Sequence, residues 1–186
     1  MDLKDAITVL EAALDDPTQG LPQEVFYFMS RITPLVNVDL LVRDSRGRTL
    51  LAWRDDPYAG KGWHIPGGIV RFKESLLDRV TATVRDEIGR DLDIDPVPVQ
   101  SNQLWKKQDT RGHFVSFLYL CTPREDFEPD NTGRSPGDSG FLAWHEGSPD
   151  DLIIVHDRIY RDVINNPAPQ PYCAAPIPTD YFEKIR

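Results

Sequence analysis

The sequence predicts an α+β fold, an α/β/α sandwich in which a mixed β-sheet lies between helices. Three patterns carry this prediction. From Leu35 onward, apolar and polar residues alternate with a period of two, as in a β-strand. After Glu74 the apolar residues recur at helical spacing, and residues 149–164 form a second helical stretch. Strands around one long helix, followed by another helix, indicate a sheet covered on both faces.

The two ends of the chain are predicted to differ from its centre. Residues 1–32 form a helical segment, with one apolar face over 3–14 and another over 22–31. We expect these helices to pack against the domain or against a second subunit, and we see no chemistry in them. The tail, residues 166–186, holds five prolines and is predicted to be an extended arm.

The central domain is predicted to span residues 33–165. Turn residues at 44–47 join a strand that begins at Leu35 to a second strand, and we predict that the two form a β-hairpin. The second and later strands are expected at 49–53, 97–105, 114–121 and 141–144. Polar loops are expected at 55–61 and 122–140.

Composition and charge limit the classes of function. The 186 residues, with 40% hydrophobic and 27% charged content, suit one ordinary globular domain. The net charge of -9 argues against a general nucleic-acid binder. Local arginines and a bound metal can reverse that sign within a pocket, so a nucleotide substrate is not excluded. No apolar run approaches the length of a membrane span.

Cysteine usage indicates a reducing compartment. Cys121 closes an apolar run and is predicted to be a buried free thiol, and Cys173 lies in the tail. We see neither a signal peptide nor a disulfide framework. We therefore expect the chain in the cytoplasm.

Residues 65–89 hold the most informative pattern. Gly67 and Gly68 permit a tight backbone turn and the close approach of a ligand, and Gly89 stands where the helix should end. At about 100° per residue, Glu87 falls about 20° from Val80, inside the apolar stripe of the helix. A carboxylate there needs compensation, and a divalent cation such as Mg²⁺ or Ca²⁺ supplies it.

This segment resembles the Nudix box. Five residues separate Gly68 from Glu74, and the later positions of the motif are also occupied in register. The matching residues are Gly68, Glu74, Val84, Asp86, Glu87 and Gly89. Ala82 and Thr83 stand in place of the motif's Arg-Glu pair, and Asp86 replaces a glutamate. The resemblance therefore implies a metal cluster reduced from three carboxylates to two, with Glu74 further along the helix.

Over residues 21–165 the chain is most similar to the GDP-mannose mannosyl hydrolase branch of the Nudix superfamily. The resemblance lies in 33–42, 47–54 and 60–68. It implies a Nudix fold and a magnesium-dependent hydrolase, with Mn²⁺ as an alternative ion. The implied substrate is a nucleoside diphosphate linked to another group, preferably a sugar nucleotide such as GDP-mannose. We expect this small molecule as the partner, no nucleic acid or membrane, and a homodimer.

The resemblance also implies roles for particular residues. The metal ligands are the Gly67 carbonyl and the carboxylates of Glu87, Asp86, Glu74 and Asp138. Asp86 points about 100° away from Glu87 around the helix, so it would act through water. Glu74 begins the helix, where capping and anchoring of the loop explain a carboxylate equally well. The implied substrate-binding residues are Asp39, Arg54 and Arg71.

The general base is the largest departure from this branch. Its Gln-His pair aligns with Asp138 and Ser139, counting back from Trp144. A serine cannot replace histidine as a base at neutral pH, so Asp138 is the candidate base and joins Glu87 as a catalytic residue. His64 and His113 are alternatives, whereas His145 and His156 are expected to be peripheral.

Two other functions remain open. The eroded box would also suit a catalytically weak or inactive Nudix module that binds a nucleotide and regulates a partner. A nucleoside triphosphate pyrophosphohydrolase is disfavoured, because Thr83 and Asp86 weaken its metal cluster.

Overall fold

The computed structural model describes residues 2–166 and the backbone of residues 172–173. The helices in this part of the chain are α1 (Leu3–Ala12), α2 (Gln23–Ile32), α3 (Leu76–Thr83) and α4 (Ile154–Asn165). The strands are β1 (Leu35–Val42), β2 (Thr49–Asp56), β3 (Gly60–His64), β4 (Gly67–Ile69), β5 (Leu92–Ile94), β6 (Gln100–Trp105), β7 (His113–Pro123), β8 (Leu142–His145) and β9 (Tyr172–Cys173).

The strands form two sheets. In the larger sheet the order is β4-β1-β7-β6-β9, and β5 pairs with the far end of β7. β1 runs parallel to β7 and antiparallel to β4, so this sheet is mixed. The smaller sheet has the order β3-β2-β8 and is antiparallel.

The predicted hairpin of the first two strands is wrong. β1 and β2 belong to different sheets, joined at the turn by a bridge between Arg43 and Thr49. β1 pairs with β7 along its whole length and with β4 at residues 37–39, whereas β2 pairs with β3 and β8. The turn residues were identified correctly, but strand pairing depends on partners that are distant in sequence.

Two apolar cores lie on opposite faces of the strands, because successive side chains of a strand point to opposite sides. One core joins α3 to β1 through residues such as Val80 and Leu40. The other joins α4 to the strands through residues such as Tyr160 and Leu41. Helices thus cover both faces, and the predicted α+β sandwich is confirmed.

The helix of the box ends in an unusual turn. α3 passes into a π-helical turn over Val84–Ile88, closed by a hydrogen bond from the Gly89 N–H to the Val84 carbonyl at 3.0 Å. Gly89 has a φ of 67°, the left-handed conformation that favours glycine at a helix end. Gly89 therefore ends the helix as predicted. Such π turns are frequent at functional sites.

Several boundaries differ from prediction. The expected loop at 55–61 contains the end of β2 and the start of β3, and Gly67 and Gly68 lie in β4 rather than in a turn. β6 begins at Gln100 and α4 at Ile154, later than expected. Apart from the β9 backbone, the predicted C-terminal arm lies outside the described residues.

The N-terminal helices are of different kinds. α1 has no buried residue, and its apolar face, including Leu3 and Ile7, is exposed. α2 buries Ser30 and contacts the loop between β6 and β7.

No helix in the described part of the chain is long and apolar enough to span a membrane.

Candidate functional site

Gly67 and Gly68 allow the box segment to approach its neighbours closely. A Cβ atom at Gly67 would overlap the Asp39 Oδ1 atom and lie 2.7 Å from the Val38 carbonyl oxygen. A Cβ atom at Gly68 would overlap the Thr83 Oγ1 atom and lie 2.9 Å from another helix side chain. Both distances are too short for a real contact, so glycine is required where β4 meets β1 and α3.

Glu87 faces a cleft of about 400 Å³ beside the smaller sheet. The side chain is open to solvent on one side, yet protein atoms crowd its carboxylate. This crowding raises the pKa of Glu87 from 4.5 to about 7, although the Arg54 charge and a hydrogen bond from the Gly67 N–H oppose it. The π turn buries Val84 and Ile88 but leaves the Glu87 residue exposed, so the prediction that Glu87 lies inside the buried apolar stripe is wrong.

Arg54 lies between this cleft and a second cavity, which Asp39 and Asn37 also line. It lines both, and its guanidinium contacts Asp56 at 3.3 Å. Its charge acts on Glu87 and on Asp39, lowering the pKa of each carboxyl against the effect of burial. The structure therefore brings together three of the residues that the sequence singled out: Asp39, Arg54 and Glu87.

Glu74 is held by arginine and by backbone. Its carboxylate accepts hydrogen bonds from Arg79 Nε at 2.8 Å and Nη2 at 2.7 Å, and from the Arg71 N–H at 2.8 Å. These bonds hold the pKa of Glu74 below its ordinary value despite partial burial. Glu74 thus anchors the loop between β4 and α3. The Arg71 side chain is exposed and does not line the cavity or the cleft.

Asp86 lies at the edge of the same cleft but is engaged elsewhere. Its carboxylate forms an exposed ion pair with Arg85 at 2.7 Å. The hydrogen bond from Arg85 lowers the pKa of Asp86. The Asp86 carboxylate is therefore paired at the surface, and a role for it at a metal ion stays a prediction.

The loop before β8 forms part of the cleft lining. Ser139 and Arg134 line the cleft, and the Asp55 N–H donates to Ser139 Oγ at 3.2 Å. Asp138 is exposed, is not part of the cleft lining, and accepts a hydrogen bond from the Ser135 N–H at 2.7 Å. The sequence singled out Asp138 and missed Arg134, a basic residue in the same Pro- and Gly-containing loop.

Asp39 is buried in a polar network between β1, β7 and α4. Its Oδ2 atom accepts hydrogen bonds from Ser116 Oγ, from Tyr160 Oη at 2.5 Å and from Asn37 Nδ2 at 3.1 Å. Burial raises the pKa of Asp39, and the hydrogen bonds from Ser116 and Tyr160 oppose that rise. The second cavity is lined by Asp39 and Asn37, and the buried Asn37 Oδ1 atom has no hydrogen-bond partner.

Two histidines share the backbone of Ile65. His64 Nδ1 lies 2.8 Å from the Ile65 carbonyl, and the Ile65 N–H donates to His156 Nδ1 at 3.0 Å. Burial lowers the pKa of His64 to about 3, so His64 is neutral at physiological pH. His64 lines the cleft and the cavity, and His156 lines the cavity. The expectation that His156 is peripheral is wrong, because α4 brings it back across the sheet.

The other histidines lie elsewhere. His113 contacts Trp105 and Gln103 and lines a separate surface pocket. His145 packs against the Trp63 ring, with ring centres 4.4 Å apart.

The sequence also missed two cations that line the cavity, Lys106 and Arg111. Both lie in the short connection between β6 and β7, where charged residues usually remain in solvent. Their signal in the sequence is only the position of Lys106 directly after a strand. The contacts that turn them inward come from distant residues.

The acids near Glu87 do not form a cage for a metal ion. Within the described residues, no group of three or more His, Cys, Asp or Glu side chains could hold one. Asp86 and Asp56 also line the cleft, but both are paired with arginine. Mg²⁺ is often bound through one or two carboxylates, several waters and the phosphates of its substrate. A magnesium ion at Glu87 would therefore need most of its ligands from water or from a bound molecule.

Comparisons with known proteins bear on the family and on the fold of this chain. A model of the NUDIX domain matches residues 33–163. The low-salt glycan biosynthesis protein Agl8 of Haloferax volcanii is 28% identical over 139 residues, which cover 66% of this chain and 88% of that protein. The MutT NUDIX hydrolase of Burkholderia pseudomallei is 21% identical and superimposes with a TM-score of 0.55, covering 72% of this chain and 96% of that one. The superposition shows that the two share a fold.

Proposed function

This chain belongs to the NUDIX domain family, and from that premise we propose that it is a magnesium-dependent hydrolase of a sugar nucleotide such as GDP-mannose. The family hydrolyses nucleoside diphosphate-linked compounds. The observation that carries the proposal is the shared cleft, which the crowded Glu87 carboxylate, Arg54 and Arg134 all line. A carboxylate for a cation and two guanidinium groups for phosphate oxygens are the groups that a diphosphate requires.

The sugar is favoured by two further considerations. The chain resembles the mannosyl hydrolase branch in the residues around Asp39, Arg54 and Gly67. The relative from Haloferax volcanii is named as a glycan biosynthesis protein, which agrees with a sugar-containing substrate. Asp39 offers its Oδ1 atom near Gly67, since Oδ2 already accepts three hydrogen bonds. That oxygen suits a hydroxyl donor of the substrate.

The proposed division of labour follows from the positions of the groups. Arg54 grips the diphosphate bidentately, and Glu87 with the Gly67 carbonyl holds the cation. When bound, Mg²⁺ supplies charge stabilisation for the departing diphosphate. Glu74 keeps the loop before α3 in place, and Asp86 contributes through water. Arg71 would meet the substrate only at the rim.

The general base is proposed to be Asp138 from the loop before β8. To act there, its carboxylate would have to leave the Ser135 N–H and turn toward the cleft, as in lids that close over a substrate. His64 is the competing base, because its ring already lines the cleft.

A nucleotide-binding module with weak or no catalysis is the second candidate. It is favoured by the absence of a metal-ligating cluster within the described residues and by the ion pair that occupies Glu74. Such a module would bind the nucleoside diphosphate in the same cleft and leave the substrate intact.

A substrate panel separates these functions. The wild type is incubated with sugar nucleotides, a dinucleoside polyphosphate and a nucleoside triphosphate, each with Mg²⁺ or with EDTA. Free sugar, sugar phosphate and phosphate are measured. The proposal expects a sugar nucleotide to be turned over fastest, and only with Mg²⁺. Preference for the triphosphate would refute the substrate class, and no product from any compound would favour the binding module.

A further inference from the structure

The cavity beside Arg54 carries a local charge opposite to that of the chain. The chain has a net charge of -9, yet Arg54, Lys106 and Arg111 all line this cavity. The acid in its lining is Asp39, whose pKa is raised by burial. Several cations directed into one partly desolvated space are costly without an anion.

Arg111 is held in place partly by α2, which precedes the residues 33–163 that the NUDIX domain model matches. Its guanidinium carbon lies 5.9 Å from the Phe26 ring and 5.4 Å from the Tyr58 ring. Its backbone N–H donates to Ser30 Oγ at 3.1 Å. Phe26 and Ser30 belong to α2, and Tyr27 of the same helix packs on Tyr58 with ring centres 5.6 Å apart. Helix α2 therefore supports Arg111 from one side.

The backbone at Arg111 is also strained. Its φ is 55°, a left-handed conformation that costs a non-glycine residue free energy. The next residue, Gly112, has no room for a Cβ atom against the Gln108 carbonyl. Strained conformations that the surroundings enforce are common at ligand clamps. The turn between β6 and β7 therefore presents this guanidinium to the cavity at a cost.

Arg111 has a polar atom that nothing in the described chain satisfies. Its Nε atom is buried and has no hydrogen-bond partner. Burial lowers the pKa of Arg111, and the Arg54 charge lowers it further. An anionic ligand would satisfy this donor and offset the repulsion between the two guanidinium groups.

Lys106 completes the group. Its Nζ donates to the Tyr58 carbonyl at 3.1 Å and lies 5.7 Å from the Phe114 ring centre. Burial lowers the pKa of Lys106 to about 8, and Arg111 and Arg54 contribute to the shift. One hydrogen bond leaves two of the three ammonium donors for a ligand.

We propose that Lys106 and Arg111, with α2 as the support for Arg111, form a phosphate subsite that holds the phosphoryl group of the substrate furthest from Glu87. The proposal rests on the proposed function for the identity of the substrate. A cavity of about 90 Å³ is small beside the roughly 300–1,000 Å³ of whole-ligand pockets. It suits one anionic group, while the rest of the nucleotide lies in the larger cleft. Arg54 bridges the two because it lines both.

Calorimetry without metal tests the subsite. GDP, inorganic pyrophosphate and guanosine are titrated into full-length protein in EDTA at 150 mM salt. Lys106→Met and Arg111→Met are each expected to weaken GDP and pyrophosphate binding on the order of tenfold. Lys107→Met is the matched control, since Lys107 is exposed and outside the cavity lining, and it should change affinity less than about twofold. Guanosine binding should not respond to either cavity variant.

Helix α2 is tested through Ser30→Ala. This variant removes the acceptor of the Arg111 N–H without touching a charge, so weaker pyrophosphate binding with an unchanged melting temperature supports the proposal. Circular dichroism and thermal melts identify variants that do not fold, and Lys106→Gln then replaces Lys106→Met. Unchanged affinity in folded Lys106 and Arg111 variants, or no binding of either anion by the wild type, overturns the subsite.

The outcome is separable from that of the hydrolase proposal. A chain that binds pyrophosphate through Lys106 but never turns over a sugar nucleotide keeps the subsite and loses the enzyme. A chain that turns over a sugar nucleotide with an unchanged KM in Lys106→Met keeps the enzyme and loses the subsite.

Discussion

Replacing Glu87 with glutamine should stabilise the metal-free protein at alkaline pH. The pKa of Glu87 is raised from 4.5 to about 7 by its crowded surroundings, so the folded state holds a proton that the unfolded chain has already released. Between these two values the folded state binds more protons, and the free energy of unfolding therefore falls as pH rises. Above pH 7 the ionised carboxylate destabilises the wild type, whereas Glu87→Gln carries no charge.

The size of the stability effect follows from the pKa shift of Glu87 and from the exposure of its side chain to solvent. The full shift would correspond to about 3 kcal/mol. Because one side of Glu87 is open to solvent, screening reduces the effect, and we expect about 1 kcal/mol. For a chain of this size that is about 2–4 °C in Tm.

Thermal melts in EDTA at pH 5 and at pH 8.5 measure the effect. Glu87→Gln should melt above the wild type at pH 8.5, and the difference should shrink toward pH 5. Glu125→Gln, which neutralises an exposed glutamate outside the cleft, is the control and should show no such dependence. A difference between Glu87→Gln and wild type that is equal at both pH values, or reversed, would refute the reasoning.

Three further predictions concern the cleft and its walls. Arg54→Ala should weaken GDP binding about thirtyfold through loss of a bidentate charged contact, and calorimetry checks this. Gly68→Ala should lower the free energy of unfolding by about 2 kcal/mol in urea titrations, because the new methyl group has no room. Asp138→Asn should lower kcat about a hundredfold, at least as strongly as Ser139→Ala. If kcat is unchanged, the base assignment fails, and loss of activity in His64→Gln would transfer it to that residue.

Local patterns explain what could be predicted. The helix of the box and its end at Gly89 depend on residues within a few turns of each other, so spacing alone revealed them. The crowding of Gly68 against Thr83 depends on residues fifteen positions apart, and the sequence had predicted the approach of a ligand there instead. Cys121 is buried and free as expected, and burial raises the pKa of its thiol to about 12. The role of Glu74 as an anchor was one of two alternatives, and its partner Arg79 is five residues away.

Features that depend on distant contacts were not predictable. β1 pairs with β4 and β7 rather than with its neighbour in sequence, because hydrogen-bonding edges are assigned by the whole sheet. Arg111 is held at the site by contacts with Tyr58 and with Phe26 and Ser30, the last two more than eighty residues earlier in the chain. Neither spacing nor composition signals such a contact.

The homodimer stays a prediction, on which the exposed apolar face of α1 bears. Leu3, Ile7 and Leu10 remain on the surface of the single chain, which agrees with the expected homodimer without testing it. Light scattering coupled to gel filtration measures the mass directly.

Hydrolysis is distinguished from binding alone by ³¹P NMR of GDP-mannose mixed with this protein and Mg²⁺. The substrate resonances are expected to disappear over time with the wild type and to persist with EDTA or with Glu87→Gln. Persistence with the wild type at stoichiometric enzyme, while calorimetry still detects GDP binding, would contradict the enzyme and leave a nucleotide-binding module.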